Sequence, residues 1–345
     1  MRQILLVLTL VGIMVGILYG LSVVVYPFIG EHEIVRPVSE TEVKEYDFEQ
    51  YSIENLRLKT IVPSSFTFGE VLEETDSYTS YQFSYYVEGK RVTGLAHIPI
   101  DGENAPVIVM FRGFIDPSVY ETGGGTRRAG EAFAENGFIT LAPDFLGFGE
   151  SDMPSEHPME ERFERYTSGL TLLSSINRLN ESLEKYGINT SADEDLIGIW
   201  GHSNGGHISI VTLEVTGEDY PTTLWAPVSK PFPYSILYYT DEYDDYGKAL
   251  RKLVAAFEEK YDVDKYSLTT YLDWIKAPIQ LHQGGADSEV PQRWSDEFVA
   301  LLEERDIDVT YYTYPNDDHN FSKGSWNTLV RRDIQFFKNE FEEEN

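Results

Sequence analysis

From residue 106 onward the chain repeats one pattern: a short apolar run, a turn, then a stretch of helical spacing. The runs at 106–112 (P-V-I-V-M-F-R), 138–143, 196–201, 222–226, 279–283 and 309–314 have strand length. Between and after them, residues 126–136, 160–186, 207–215, 292–305 and 326–341 carry helical spacing, and the first two of these end at Gly137 and Gly187. Strands alternating with helices predict an α/β fold, with a mainly parallel central sheet covered on both faces. Upstream, the runs 81–87 and 92–98 read as a hairpin turning at Glu88-Gly89-Lys90. Residues 232–274 break the rhythm, being rich in Tyr and Asp and then helical over 248–261. Such an insertion is expected above the strand ends as a small helical cap.

The N-terminus has a different character. Residues 4–29 hold no charged side chain over 26 positions, and a bilayer core needs about 20 in a helix. A cleaved signal has a shorter apolar core and a small-x-small cleavage site, and no A-x-A-like site follows here. Residues 1–30 are therefore expected to be a retained transmembrane anchor. Arg2 precedes the span and Glu31 and Glu33 follow it, which places the rest of the chain on the extracytoplasmic side. Residues 31–77 read as an acidic stalk and lead-in, and residues 78–345 as the catalytic domain with its cap.

Composition excludes several functions. Asp and Glu outnumber Lys and Arg 58 to 27, a formal charge of −31, which argues against nucleic acid as a partner. With no cysteine, thiol catalysis and thiolate metal sites are ruled out. No H-E-x-x-H spacing is present, and Gly123-Gly124-Gly125 lacks the G-K-[ST] of a phosphate loop. Neither a metal nor an organic cofactor is expected.

The chemistry concentrates at G-H-S-N-G-G, residues 201–206. The bare G-x-S-x-G pattern arises by chance in about one chain in ten of this length. Its context adds weight, because an apolar strand precedes it and a helix follows. A serine on a sharp strand-to-helix turn needs neighbours almost without side chains, and Gly201 and Gly205 supply them. Ser203 is the expected nucleophile.

A nucleophilic serine needs a base, and the base needs an orienting acid. In the order Ser, acid, His, the last member follows the last strand, where Y-P-N-D-D-H-N-F offers His319. His282 falls within or at the end of a strand and reads as structural. His207 lies inside the following helix, and the turn should aim His202 elsewhere. Asp287, in the glycine loop Q-G-G-A-D after the 279–283 run, is the expected acid, ahead of Glu289 and of the Asp-rich 241–245 cluster. One oxyanion donor is expected at the backbone N–H of Asn204. The other is expected at Gly113 or Phe114 in F-R-G-F, with the Tyr120 hydroxyl a weaker alternative. Arg112 reads as an anchor of that loop, against Asp144 or another carboxylate, and residues 144–152 (D-F-L-G-F-G-E-S-D) as part of the rim.

These motifs resemble the α/β-hydrolase superfamily, and most closely the catalytic domain of the prolyl oligopeptidase family of serine peptidases. G-H-S-N-G-G, D-F-L-G-F-G-E-S-D, H-Q-G-G-A-D-S-E-V-P and D-H-N-F carry the resemblance, which runs from about residue 81 to 341. It implies Ser203, Asp287 and His319 as the triad. The chain departs from the family at Arg112-Gly113-Phe114, where H-G-G or Tyr-Gly-Gly is common. Larger members carry a β-propeller, for which the 47 residues at 31–77 are too few.

The expected function is a serine hydrolase acting through an acyl-enzyme on a peptide or small-molecule substrate. A serine-type peptidase is favoured, carboxylesterase is the alternative, and a non-catalytic binding protein on a hydrolase fold is the rival of another class.

Overall fold

The computed structural model describes residues 46–240 and 243–343. The expected membrane span and residues 31–45 of the expected stalk and lead-in lie outside the described residues. Among the described residues, no helix is long and apolar enough to cross a membrane.

Nine strands form one sheet: β1 (Thr67–Glu74), β2 (Tyr78–Val87), β3 (Lys90–Pro99), β4 (Ala105–Phe111), β5 (Ile139–Pro143), β6 (Ala192–His202), β7 (Thr222–Trp225), β8 (Ile279–Gly284) and β9 (Val309–Tyr314). Their order across the sheet is β1-β2-β3-β5-β4-β6-β7-β8-β9. The pairs from β1 to β5 are antiparallel, and those from β5 through β4 to β9 are parallel. Among the described residues the helices are α1 (Ile53–Leu58), α2 (Arg127–Ala134), α3 (Pro158–Ser175), α4 (Leu179–Lys185), α5 (Asn204–Thr216), α6 (Tyr234–Leu237), α7 (Lys248–Glu258), α8 (Gln292–Glu303) and α9 (Trp326–Glu343). This is the α/β-hydrolase fold.

The run at β4 shows why both faces must be covered. Successive strand side chains point to opposite faces. Ile108 and Met110 join Phe133 of α2 and Leu329 and Phe337 of α9 in one core. Phe111 points the other way, against Gly169 of α3, where an added Cβ would stand 2.9 Å from the ring. A run buried on both faces has no polar alternation, which is the pattern the sequence displays.

Three features differ from the sequence expectations. The compact unit begins at Asp47 and not at residue 78, so it takes in residues 47–77 of the expected stalk and lead-in. Their strand β1 is an exposed edge with a single buried residue, Phe68, so no alternation marks it. The expected single helix over 160–186 is split by a 3₁₀ turn at Ile176–Arg178. Ser174 and Ser175 both donate back to the Thr171 carbonyl, at 3.0 and 2.6 Å, and such bonds compete with the helical ladder. The insert between β7 and β8 contains α6 and α7, and its helix stops at Glu258 rather than 261. Its aromatic side chains, Phe232, Phe257 and Tyr266, cluster with Phe163 of α3, and Phe257 also meets Phe48.

Register brings the carboxyl ends of the parallel strands level: Phe111 pairs with Gly201, His202 with Trp225, Trp225 with His282, and Gly284 with Tyr314. Gly113, Ser203, Asp287 and His319 each lie within five residues after one of these ends. Ligand sites in open parallel sheets collect along this rim.

Candidate active site

Ser203 sits between β6 and α5 with φ 56° and ψ −118°, a backbone conformation that costs an L-residue energy. The turn is held from several sides. Ser203 N–H donates to the Trp225 carbonyl at 2.9 Å, and the Ser203 carbonyl accepts from Gly206 and Val228, each at 3.0 Å. A Cβ on Gly205 would stand 1.8 Å from the Phe111 carbonyl oxygen, and one on Gly201 would stand 2.3 Å from Ser209 Oγ. Both glycines are therefore dictated by packing, and the helix start can approach β4 only in their presence. The Ser203 side chain makes no hydrogen bond within the described residues.

Asp287 follows β8, and its carboxylate is fully shielded. Oδ1 accepts from the N–H groups of Glu289 and Val290, each at 2.9 Å, and Oδ2 accepts from Gln283 Nε2 at 3.1 Å and from His319 Nδ1 at 2.8 Å. Two backbone donors, an amide and an imidazole thus fix one carboxylate. Glu289 contributes only its backbone here, since its side chain accepts from Ser288 Oγ instead.

The His319 loop is built by its own acids. Asp317 accepts from the N–H groups of Lys323 and Ser325, each at 2.8 Å, and Asp318 from those of Asn320 and Ser322, at 3.1 and 2.9 Å. The Ser322 hydroxyl, donating to Asp318, holds that carboxyl below its ordinary range. The loop lies directly on Gly284 and Gly285, where added Cβ atoms would come within 2.6 Å of the Asp317 carbonyl oxygen and 2.7 Å of Pro315 Cα. The two glycines after His282-Gln283 let the acid loop and the histidine loop touch.

On the other side, Gly113 abuts the serine, and a Cβ there would stand 3.0 Å from Ser203 Cβ. Arg112 is buried and donates to two carbonyls, Gly113 at 2.9 Å and Asp144 at 2.8 Å. Its guanidinium lies 4.4 Å from the Tyr120 ring centroid and 4.1 Å from that of Phe148. The expected anchoring to the Asp144 carboxylate is replaced by a bond to its main chain. The carboxylate is already engaged by Thr93 Oγ1 and Tyr120 OH, each at 2.6 Å, and by Thr122 Oγ1 at 3.0 Å. This commitment of Tyr120 takes its hydroxyl away from any oxyanion. Arg112 draws the Gly113 carbonyl toward itself, so in a trans peptide the Phe114 N–H points away from the guanidinium. Among the described residues none accepts a hydrogen bond from the N–H groups of Gly113, Phe114 or Asn204.

Three other histidines have structural partners. His282 Nε2 donates to Asp333 at 2.9 Å and Nδ1 accepts from Tyr314 OH at 2.9 Å, in a fully buried network that ties β8 to β9 and α9. His207 Nδ1 donates to the Val228 carbonyl at 2.9 Å and its Nε2 accepts from Tyr166 OH at 3.0 Å. His202 was expected to point elsewhere, yet its Nε2 donates to the His319 carbonyl at 3.0 Å. Sequence reasoning set it aside. The available signal was its place as the last residue of β6, beside Ser203 and level with Trp225.

The prolyl oligopeptidase family profile matches residues 130–344, more than half of the chain. The chain belongs to the prolyl oligopeptidase family. The matched region runs from α2 to α9 and includes Ser203, Asp287 and His319. Among curated relatives, dipeptidyl peptidase family member 6 of Caenorhabditis elegans is 31% identical over 144 residues, which is 38% of this chain and 18% of that protein. Dipeptidyl aminopeptidase BIII of Pseudoxanthomonas mexicana is 26% identical over 147 residues, 40% of this chain and 20% of that protein. The match thus spans about a fifth of the length of these relatives. Among solved structures, acetyl xylan esterase 1 from Thermoanaerobacterium sp. superposes with a TM-score of 0.57 at 16% identity, covering 84% of this chain and 93% of that one. A puromycin-hydrolyzing peptidase from Mycobacterium tuberculosis gives 0.55 at 18% identity, covering 77% and 40%. At such identities the superpositions show the shared fold.

Proposed function

We propose that the chain is a serine hydrolase whose triad is Ser203, His319 and Asp287. The 2.8 Å contact between His319 and Asp287, on loops that close beside the strained Ser203, carries this reading. Asp287 takes the Nδ1 proton of His319, which leaves Nε2 free to accept the Ser203 proton as Oγ attacks a carbonyl. The Asn204 N–H at the start of α5, together with the Gly113 or Phe114 N–H, receives the negative charge that develops on the substrate oxygen. His319 then returns the proton to the leaving group, and water releases the acyl group by the same steps in reverse order.

Family membership and the relatives named for dipeptidyl peptidase and dipeptidyl aminopeptidase favour a peptide substrate. Carboxylesterase is the second reading, supported by an acetyl xylan esterase that matches over nearly its whole length. Parallel turnover of p-nitrophenyl acyl esters and peptide p-nitroanilides separates them. The peptidase reading expects cleavage of anilides, and ester turnover with every anilide untouched would replace it with the esterase. The uncharged run at 4–29 supports a membrane anchor with the catalytic domain outside. Recovery of full-length protein in the carbonate-washed membrane fraction, with the domain open to added protease on whole cells, is the result this expects. Recovery in the soluble fraction contradicts it.

A further inference from the structure

A narrow cleft of about 20 Å³, open to solvent, has in its wall Asn204, the residue after Ser203. Asn204, Val228 and Phe232 form part of its wall, and Arg162 and Arg165 of α3 supply its charge. Arg165 is paired with Glu161 at 3.1 Å. Arg162 is not: among the described residues it has neither a hydrogen bond nor a carboxylate within ion-pair distance. Burial and the neighbouring Arg165 push its pKa below the ordinary arginine value, against a smaller opposing pull from Tyr166, Tyr243 and Glu161. Two other polar side chains of the cleft wall are already engaged, since Tyr166 and His207 are bonded to each other and His207 also to the Val228 carbonyl.

Arg162 is half-buried, and an unpaired guanidinium at the wall of a cleft is suited to receive an anion. The protein as a whole is strongly acidic, so its surface field does not gather anions, and the cleft is a local exception to it. The chemistry also fixes which part of a substrate lies there. The leaving group departs past the imidazole that protonates it, and no residue of the His319 loop lines the cleft. The acyl side of the substrate is what remains to fill it.

We infer that the acyl group carries a carboxylate, held by Arg162 with Arg165 beside it. This rests on the serine-hydrolase reading and adds its substrate class: acyl groups of dicarboxylic or acidic amino-acid type, bound by a planar fork of donors suited to a carboxylate.

The α-thiobenzyl esters of N-acetylglutamate and N-acetylglutamine test it, since they differ in charge but hardly in shape and suit peptidases and esterases alike. Wild type is expected to favour the glutamate ester by about tenfold or more in kcat/KM, the effect of one charge-assisted pair. Arg162→Gln should bring that ratio to within about twofold of unity, and Arg162→Lys should keep an intermediate preference. Equal or better use of the glutamine ester by wild type, or an unchanged ratio in Arg162→Gln, overturns the inference while leaving the hydrolase reading standing. If wild type turns over neither ester and also fails to react with a fluorophosphonate, the hydrolase reading falls and this inference falls with it.

Discussion

His202 and His319 lie 117 positions apart in the chain, yet His202 Nε2 donates to the His319 carbonyl at 3.0 Å and the rings stand 4.6 Å apart. Burial, and then the nearby His319, push the His202 pKa down to about 3, so it stays neutral and keeps the Nε2–H tautomer this bond requires. The residue before Ser203 therefore fastens the loop that bears His319.

Replacing His202 tests that coupling. His202→Leu removes the donor and should lower kcat by about ten- to a hundredfold with KM changed by less than about threefold, because it misplaces His319, the proposed base, without touching substrate binding. His202→Gln, which keeps an N–H donor, should recover part of the loss. Equal losses in both variants, or a loss confined to KM, would contradict a positioning role.

Arg112 holds the other side of the site. Its removal frees the Gly113 carbonyl, and with it the direction of the Phe114 N–H. Arg112→Met should cost about 10²-fold in kcat, as the loss of one oxyanion donor does. Arg112→Lys should recover little, because a point charge cannot bond two carbonyls and stack on two rings. Steady-state kinetics on one ester substrate checks both, and full activity in Arg112→Met would exclude the arrangement.

Much of this site was legible in the sequence because each piece came with a reason. Gly201 and Gly205 flank Ser203 because any side chain there collides with its surroundings. That Asp287 and His319 would meet was legible from chain order and from the strand ends they follow. His202 was not, because its role depends on the register of β6 beside β7 and on a loop more than a hundred residues away. Arg162 was hidden for a similar reason. On α3 it reads as one more charge on a helix, and only the fold brings it beside Asn204. Strand β1 escaped because an exposed edge leaves no hydrophobic period.

Glu214 on α5 is fully buried and neither carboxyl oxygen finds a partner, so burial raises its pKa well above the ordinary value. The folded state keeps this proton where the unfolded chain has lost it. Its effect on stability is nil below pH 4.5 and grows more unfavourable as pH rises toward the folded pKa, at about 1.4 kcal/mol per unit. Glu214→Gln should therefore be increasingly stable relative to wild type as pH climbs from 5 to 8. The buried His97, His202 and His207 act oppositely. Their pKa values are lowered to about 4, 3 and 4, so the unfolded chain takes up their protons first and stability falls as pH drops below 6.5. Denaturant melts of wild type and Glu214→Gln across pH 4.5–8 check the difference, and a difference independent of pH would refute the carboxyl assignment.

Mass spectrometry of the full-length protein treated with a fluorophosphonate, beside Ser203→Ala, tests the central claim most directly. The account predicts one adduct per chain, mapped to the peptide holding Ser203, and none on a Ser203→Ala protein that melts like wild type. An unlabelled wild type, or an adduct that persists in Ser203→Ala, would contradict it.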